Sequence, residues 1–285
     1  MSTPQRQALI VEGGGMRGAF TAGVLDAFLE KQFNPFDLYV GVSSGSTNLA
    51  NYLAGQHGRT LQFYIDHSLR PEFISYKRFL KGGDLIDLEW MWQVGEAERP
   101  LDQQALFAQN PDFYMVLTHA RSGRAEYLRA GKDNLLSALR ASSTIPVLTR
   151  QPVDIMGEPY FDGGVADALP VQWAAQQHDV NALMVIRTRP QHYAKTSSKG
   201  DQFLAKYMLK HHHGFASSLQ ARCLRYNDSV NFLRQPNEQR ILEVCVPNKK
   251  GLASRLCKDR KKLEYTYRVG QETGYAAMEA WQSLK

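Results

Sequence analysis

The sequence contains no hydrophobic run long enough to cross a bilayer. A spanning helix needs about 18 consecutive apolar residues, and every apolar stretch here is interrupted earlier. The N-terminal stretch MSTPQRQALIVEGGG has only a brief apolar segment before glycines and a charge follow. We therefore expect neither a membrane span nor a secretory signal, which favours a cytoplasmic protein.

Cysteine and metal-ligand motifs are scarce as well. The three cysteines, Cys223, Cys245 and Cys257, form neither a CxxC pair nor the spacing of a metal site. This usage is typical of a reduced compartment. The sequence also has no HExxH motif and no convincing acidic cluster, so we predict neither a metal nor a cofactor.

Acidic residues are depleted toward the C-terminus. Residues 190–285 carry 17 Lys and Arg against 8 Asp and Glu, whereas residues 1–189 carry 17 against 20. The densest basic run is KKGLASRLCKDRKK at residues 249–262, with seven basic residues and one acidic residue. Such a run suits an anionic lipid surface or a nucleic acid, and it is equally typical of a solvated helix face.

What the chain does contain is an alternation of apolar and amphipathic segments. QALIVE at residues 7–12 and LYVGV at 38–42 predict buried strands, separated by an amphipathic helix over 17–31. A helix of small residues is predicted over 44–54, ending at Gly55. Two strands joined by a helix indicate a parallel β-α-β start and an α/β fold.

This alternation continues to about residue 189 and then lapses. We predict an α/β domain at 1–189 and a basic, mostly helical extension at 190–285, while residues 56–112 show no clean period and suit either a lid or ordinary core. Further strands are expected at 113–120, 124–130, 153–161 (a pair), 182–188 and 240–246, and further helices at 134–141, 170–177, 199–235 and 265–284.

The first loop has the pattern of a phosphate cradle. GGGMRG at residues 13–18 satisfies G-x-G-x-x-G between a predicted strand and a predicted helix, as in dinucleotide-binding domains. Such a site also needs an acidic residue at the end of the second strand to bind the ribose. Here that strand ends in Gly41–Gly45, and Asp37 precedes it. The nucleotide hypothesis is weakened accordingly, and an oxyanion becomes the competing ligand for the loop amides.

The second loop, Gly41-Val42-Ser43-Ser44-Gly45, is a G-x-S-x-G motif at a predicted strand–turn–helix junction. On so tight a turn the backbone two residues before and after the serine comes too close for a Cβ, so glycine is needed at both positions. The turn exposes the Ser43 Oγ at a helix N-terminus, where developing negative charge is favoured. Ser43 is therefore the candidate nucleophile. A Gly/Ser turn that merely caps the helix is the alternative.

A serine nucleophile needs a base. Asp162, at the end of a short predicted strand and followed by Gly163-Gly164, is the first candidate, although Asp-Gly is also a common turn pair. A histidine is the ordinary base of serine hydrolases, and His119 and His178 are the plausible ones. The run at 211–213 is three adjacent histidines, which on a helix cannot converge on one metal, and we expect it at the surface.

Taken together, GGGMRG (13–18), GVSSG (41–45) and DGG (162–164) resemble the motifs of the bacterial patatin-like phospholipases, and ASSTIP (141–146) is similar to the segment that precedes their Asp-Gly-Gly. The resemblance implies a three-layer α/β/α sandwich with a mainly parallel sheet. It also implies a Ser43–Asp162 dyad without a catalytic histidine, and an oxyanion hole formed by the backbone of Gly13, Gly14 and Gly15. The remaining motif or substrate-binding residues that it implies are Arg17, Gly18, Gly41, Gly45, Gly163 and Gly164.

The favoured hypothesis is a cytoplasmic serine lipid acyl hydrolase, of phospholipase or esterase type, that works through an acyl-enzyme. Acyl transfer to an alcohol other than water would share its first half-reaction. Residues 249–262 would hold the protein peripherally at an anionic membrane, at its inner face, and no nucleic acid is expected as a partner. The alternatives are a nucleotide-dependent oxidoreductase or binding module that uses the G-x-G-x-x-G loop, and a non-catalytic membrane adaptor.

Overall fold

Strand β1 (Arg6–Val11) lies inside a twisted sheet and is buried on both faces. The computed structural model describes residues 5–146, 148–149, 151–197, 199–208 and 212–284. Within these residues the sheet has eight strands, the others being β2 (Leu38–Val42), β3 (Asp112–His119), β4 (Ala125–Arg129), β5 (Val153–Ile155), β6 (Glu158–Asp162), β7 (Val180–Arg187) and β8 (Arg240–Cys245).

The sheet is mainly parallel. Strands β3, β2, β1, β7 and β8 run in this spatial order and in the same direction. Strands β4 and β6 pair antiparallel with β3, and β5 pairs antiparallel with β6. The short pairs β3–β4 and β5–β6 form two hairpins with turns at Ser122-Gly123 and Met156-Gly157, and they match the strands predicted at 113–120 and 124–130 and the pair predicted at 153–161.

Helices cover both faces of the sheet. In β1, Leu9 and Val11 face one apolar core while Ala8 and Ile10 face the other, as expected for a parallel strand that is buried on both sides. The first core is closed by α1 (Gly18–Glu30), α2 (Ser44–Leu53), α7 (Leu135–Ser143) and α11 (Arg260–Ser283), and the second by α8 (Val171–Ala175) and α10 (His213–Arg234). The prediction of a three-layer α/β/α sandwich is confirmed.

The region without a clean period forms short helices: α3 (Arg59–Ile65), α4 (Tyr76–Leu80), α5 (Leu88–Glu98) and α6 (Gln103–Phe107). They lie over one end of the first core and contribute buried aromatic residues such as Phe63 and Trp92. No helix among the described residues combines the length and apolar character needed to cross a membrane.

The C-terminal residues are mostly helical and continue the same sheet. Strand β8 pairs with β7 from Ala182↔Arg240 to Arg187↔Cys245. Helix α11 packs closely against α1, where a Cβ on Gly270 would lie 2.1 Å from the carbonyl oxygen of Phe20. The boundary at residue 189 stays a prediction, but the residues on either side of it share one sheet.

Two predicted helix limits differ from the structure. Helix α11 begins at Arg260, five residues before the predicted start, because the Asp259 carboxylate caps it by accepting a hydrogen bond from the Lys262 amide (3.2 Å). The helix predicted over 199–235 is two helices, α9 (Lys199–Met208) and α10. The histidine run lies partly outside the described residues, since His211 is not described, whereas His213 is exposed at the start of α10.

Candidate active site

Ser43 sits on the sharp turn between β2 and α2. Its φ of 56° and ψ of −130° are a strained combination for a residue with a Cβ. A Cβ on Gly41 would lie 2.5 Å from the Cα of Ser46, and one on Gly45 would lie 2.4 Å from the carbonyl oxygen of Val11. Both glycines are therefore required by close backbone contacts, as the G-x-S-x-G pattern predicts.

The strained turn is supported from α7. Ser142, fully buried, accepts a hydrogen bond from the backbone nitrogen of Ser43 (2.8 Å) and donates one to the carbonyl oxygen of Val116 (3.0 Å). Its hydroxyl also lies 3.1 Å from that of Ser46. Ser142 thus ties the serine turn to β3, a role that the sequence did not reveal although Ser142 lies within the ASSTIP segment.

Asp162 reaches Ser43 because two strands share one edge of β3. Strand β4 occupies the other edge from Tyr114 to Thr118. On the shared edge, Val42 at the end of β2 pairs with Val116, and Asp162 at the end of β6 pairs with the next residue, Leu117. The two strand ends therefore meet, and the Ser43 hydroxyl lies close enough to the Asp162 carboxylate to lower its pKa.

The carboxylate of Asp162 is buried and held in place. The Gly164 amide donates to its Oδ1 (2.7 Å), and the Thr118 hydroxyl donates to its backbone carbonyl (2.8 Å). A Cβ on Gly163 would lie 2.1 Å from the carbonyl oxygen of Val116, so the chain can turn here only with glycine. Burial raises the pKa of Asp162, and the Gly164 amide and the nearby Arg255 cation oppose that rise.

The glycine loop lies against the serine turn. The Gly14 amide donates to the Ser44 hydroxyl (3.0 Å), and the Thr188 hydroxyl donates to the Gly13 carbonyl (2.8 Å). Gly15 has a positive φ of 58° and a short 3₁₀ turn begins there. In the described part of the chain, the amides of Gly13 and Gly15 have no hydrogen-bond acceptor. They remain available to a ligand.

Arg17 and Gly18 follow this loop in different environments. Burial and the neighbouring Arg189 lower the pKa of Arg17 to about 10, so its guanidinium stays charged at neutral pH. Gly18 instead packs under Tyr64, where a Cβ would lie 2.2 Å from the phenol oxygen. Arg17 faces the site, whereas Gly18 contributes close packing.

Two cavities meet at Ser43. One is apolar and lies under the short helices α3 to α5; its walls include Phe63, Tyr64, Phe73, Ile74, Ile86, Leu88, Met91, Trp92, Ile145, Leu148 and Leu256. The other is a polar cleft whose walls include Glu12, Gly13, Gly14, Arg17, Asp162, Arg189, Tyr193, Lys195, Arg222, Tyr226 and Arg255. Ser43 and Arg255 line both.

The candidate histidines lie elsewhere. None of the described residues that line the two cavities is a histidine. His119 contacts Ser122 (2.9 Å) and Glu158 (3.0 Å) around the β3–β4 turn. His178 is exposed and pairs with Asp179 just before β7, at the opposite end of the parallel strands from Ser43. The structure brings Asp162 to Ser43, and neither of these histidines.

Four basic residues of the polar cleft were not foreseen as site residues, and two of them, Arg189 and Lys195, lie on the segment that follows β7. Arg222 comes from α10, and Arg255 comes from the basic run that the sequence suggested would face a membrane. The Arg255 side chain remains accessible to solvent. Surrounding protein atoms nevertheless lower the pKa of its guanidinium, chiefly by desolvation. The carbonyl of Arg255 also accepts a hydrogen bond from the Met16 amide (3.1 Å), which fixes this segment against the glycine loop.

One group of metal-type ligands occurs among the described residues, away from Ser43. Asp66, His67 and Glu98 approach one another near the short 3₁₀ helix at His67–Leu69. The guanidinium of Arg70 lies 3.2 Å from Asp66 and 2.7 Å from Glu98. It occupies the carboxylate oxygens that a cation would need, so we assign this group to an ion-pair network.

Comparison with known proteins defines the class. The family model described as Patatin-like phospholipase matches residues 9–175, more than half of the chain. The chain belongs to the patatin-like phospholipase family, and the resemblance of the three motifs is confirmed. Family membership supports a lipid hydrolase in general. A second family model, a domain of unknown function (DUF6363), matches residues 204–284.

Individual relatives include the uncharacterized protein YjjU of Escherichia coli (strain K12). It is 37% identical over 251 residues, which cover 86% of this chain and 69% of YjjU. Among solved structures, VipD from Legionella pneumophila has a TM-score of 0.48 and 12% identity, covering 98% of this chain and 68% of VipD. A chain of the SpcU–ExoU complex from Pseudomonas aeruginosa has a TM-score of 0.34 and 13% identity, covering 78% of this chain and 53% of its own.

Proposed function

We propose that the protein is a serine lipid acyl hydrolase in which Ser43 is the nucleophile and Asp162 the base. The observation that supports this most is the position of the Ser43 hydroxyl beside the buried Asp162 carboxylate, where an apolar cavity and a polar cleft meet. A general base must come within hydrogen-bond reach of the proton that it takes, and the position of Asp162 beside Ser43 supports this role.

The reaction follows in two halves. Ser43 Oγ attacks the ester carbonyl while its proton passes to Asp162, and the collapse of the tetrahedral intermediate returns that proton to the leaving alcohol. Water then attacks the acyl-enzyme, again giving a proton to Asp162, and Ser43 recovers its proton as the fatty acid leaves. Each half begins and ends with an ionised carboxylate, so a single base is sufficient.

The oxyanion of each intermediate would be held by the glycine loop. The amides of Gly13 and Gly15 have no acceptor among the described residues, and the amide of Gly14 donates to Ser44 beside the nucleophile. Amides fixed in advance stabilise an oxyanion without reorganisation, and removing one such donor costs roughly 10²–10³ in kcat. Arg17 would add positive charge to the same side of the site.

The apolar cavity would hold the acyl chain. Its aromatic and aliphatic walls begin at Ser43 and extend under α3 to α5. The sequence left open whether residues 56–112 form a lid or ordinary core, and this cavity gives them a role in binding. Burying a methylene group there would be worth about 0.8 kcal/mol. The arrangement therefore favours a long-chain ester over an acetyl ester.

Labelling with a fluorophosphonate tests the proposal directly. The wild type and Ser137→Ala, a control serine on α7, should react with the probe and hydrolyse p-nitrophenyl butyrate. Ser43→Ala should do neither. Asp162→Asn should lose most of both activities because the base is removed while the shape is kept. Labelling of Ser43→Ala at the wild-type rate would refute the nucleophile.

We propose as well that the protein docks peripherally on an anionic membrane, at its inner face. Leu256, an exposed side chain on the basic run, lines the apolar cavity. Tyr76 and Leu80 are exposed on α4, which follows the cavity-lining residue Ile74 in the chain. The two segments touch, because the Lys258 ammonium donates to the Ile74 carbonyl (2.9 Å). Basic and apolar side chains together favour binding to an anionic lipid surface.

A further inference from the structure

The polar cleft beside Ser43 contains five basic side chains, more than an uncharged ester would require. They are Arg17, Arg189, Lys195, Arg222 and Arg255, and they come from four separate parts of the chain. Their mutual repulsion and burial are costly: desolvation, followed by the charge of Arg222, lowers the pKa of Lys195 to about 8. A cluster that destabilises itself in this way is typical of a site whose ligand supplies the missing negative charge.

The carboxylates nearby do not neutralise this cluster. Glu12 accepts hydrogen bonds from the amide and hydroxyl of Thr188 (2.7 and 3.3 Å), and Asp162 accepts one from the Gly164 amide and lies beside Ser43. Asp201 lies 3.5 Å from Arg222. Counting these three acids against five bases leaves the cleft two positive charges in excess.

Several of the basic groups are also unpartnered. Within the described ranges, no hydrogen bond or ion pair joins the guanidinium groups of Arg17, Arg189 or Arg255 to another residue. The Nε atoms of Arg17 and Arg222 are buried without an acceptor. Lys195 and Arg189 rest on the rings of Tyr226 and Tyr193, at 5.9 and 4.2 Å from the ring centroids. These donors are free to bind phosphate oxygens.

We propose that this cleft binds a doubly charged phosphate monoester head group, so that the lipid substrate is of the phosphatidic acid type. This inference rests on the proposed function, since it places the ester of the same molecule at Ser43. A phosphodiester supplies one negative charge, whereas a phosphate monoester supplies about −1.5 to −2 at pH 7 and three acceptor oxygens. Only the second matches the excess charge of the cleft.

A purely catalytic role for the basic residues accounts for part of the cluster. Arg255 and Arg222 lower the pKa of Asp162 and so help to keep the base ionised. Arg189 and Lys195 lie on the segment that follows β7, and Lys195 is influenced mainly by burial and by Arg222. Substitutions of Arg189 and Lys195 therefore test head-group binding without removing a residue that lowers the pKa of Asp162.

The test compares dihexanoyl phosphatidic acid, phosphatidylglycerol and phosphatidylcholine, each monomeric below its critical micelle concentration. Monomers remove the attraction of a charged lipid surface, so only the cleft can discriminate. We expect the kcat/KM of the wild type for phosphatidic acid to exceed that for phosphatidylcholine roughly tenfold or more, with phosphatidylglycerol between them. Equal values for the three lipids would overturn the proposal.

Variants locate the preference. Arg189→Gln and Lys195→Gln should each lower the phosphatidic acid to phosphatidylcholine ratio at least about threefold, and Lys195→Arg should restore it. Arg268→Gln, an exposed arginine on α11, is the matched control and should leave the ratio unchanged. An unchanged ratio in both cleft variants would contradict the proposal. If a variant does not fold, the lipid series on the wild type still decides.

Two further measurements separate the possible failures. Loss of Ser43-dependent hydrolysis of p-nitrophenyl butyrate would refute the proposed function itself, whereas its presence without a phosphatidic acid preference would refute the head-group proposal alone. Inorganic phosphate is the other source of the same chemistry. If phosphate inhibits butyrate hydrolysis at lower concentrations than dihexanoyl phosphatidic acid does, the cleft is a site for free phosphate and the lipid assignment is wrong.

Discussion

Gly13 faces Ser43 so closely that a Cβ on Gly13 would lie 2.7 Å from the Cβ of Ser43 and 2.6 Å from the carbonyl oxygen of Val42. Real Cβ atoms do not approach backbone oxygen at that distance, so one of the two loops must move. The glycine loop and the serine turn therefore fit against each other closely. The spacing of the proposed oxyanion donors depends on residue 13 being a glycine, which has no Cβ.

Gly13→Ala should consequently lower activity far more than stability. We expect kcat toward p-nitrophenyl butyrate to fall by roughly 10²-fold or more, as when an oxyanion donor is displaced, and overpacking to reduce the free energy of unfolding by about 1–3 kcal/mol. Gly131→Ala is the matched control, because its Cβ would meet only ordinary contacts near 3.8 Å. Retention of wild-type kcat by Gly13→Ala would count against the proposed oxyanion hole.

Ser142→Ala should weaken the strained turn from below. The substitution leaves the Ser43 amide without its acceptor at 2.8 Å in a buried position, which costs about 1–3 kcal/mol in the free energy of unfolding. We expect kcat to fall as well, because Ser43 is no longer held in place. The KM for a short ester should change less, because the residues that bind the substrate are unchanged. Urea unfolding and steady-state kinetics check both effects, with Ser137→Ala as the control. A normal kcat in Ser142→Ala would show that the serine turn does not need the hydrogen bond to Ser142.

The sequence predicted those parts of the fold that depend on local pattern. The strands around Ser43 and the two hairpins follow from apolar runs and turn pairs, and the glycines of both loops follow from steric rules that act within a few residues. Asp162 could be nominated from an Asp-Gly pair, but its meeting with Ser43 requires β6 to follow β2 along one edge of β3. No local pattern encodes that pairing.

The polar cleft escaped prediction for the same reason. Arg222 and Arg255 are far from Ser43 in the chain, and in sequence Arg255 is one of seven basic residues in a run that suits a solvated face. What sets it apart is the hydrogen bond from the Met16 amide to its carbonyl, a long-range contact that holds this segment beside the cleft that Arg255 lines. Charge counts indicated an anionic partner and left its location open.

Activity should be lost on acidification at a higher pH than an ordinary aspartate would give. Asp162 must be ionised to accept the proton of Ser43, and burial raises its pKa above the usual value near 3.9. Activity therefore rises with pH through that raised pKa. The Arg255 cation stabilises the carboxylate, so Arg255→Gln should move the acid limb to still higher pH. The pH dependence of kcat/KM for a neutral ester measures this, with Arg268→Gln as the control; an unmoved limb would exclude Asp162 as the titrating base.

Acyl-chain preference should follow the apolar cavity. Each methylene buried is worth about 0.8 kcal/mol, so kcat/KM for p-nitrophenyl esters should rise roughly three- to fourfold per carbon until the cavity is full. Met91→Trp places a larger ring in the wall of the cavity and should move the optimum to shorter chains. Gln93→Trp, on the exposed face of the same helix, should leave it unchanged. An identical optimum in Met91→Trp would mean that the chain binds elsewhere.

Binding to anionic vesicles should depend on α4. Tyr76 and Leu80 are 64% and 86% exposed, and Lys77 and Lys81 flank them. Since each lysine near an anionic surface contributes about 1 kcal/mol, the double variant Lys77→Gln/Lys81→Gln should bind vesicles of phosphatidylglycerol and phosphatidylcholine roughly thirtyfold more weakly, and added salt should reduce the difference. Leu80→Ser should also weaken binding.

Met156→Ser is the control for this prediction. It removes a side chain that is 94% exposed on the β5–β6 turn and should have no effect in a sedimentation assay. If Met156→Ser weakens binding as much as Leu80→Ser does, the contact is not made by this face, and the cavity does not open toward the membrane.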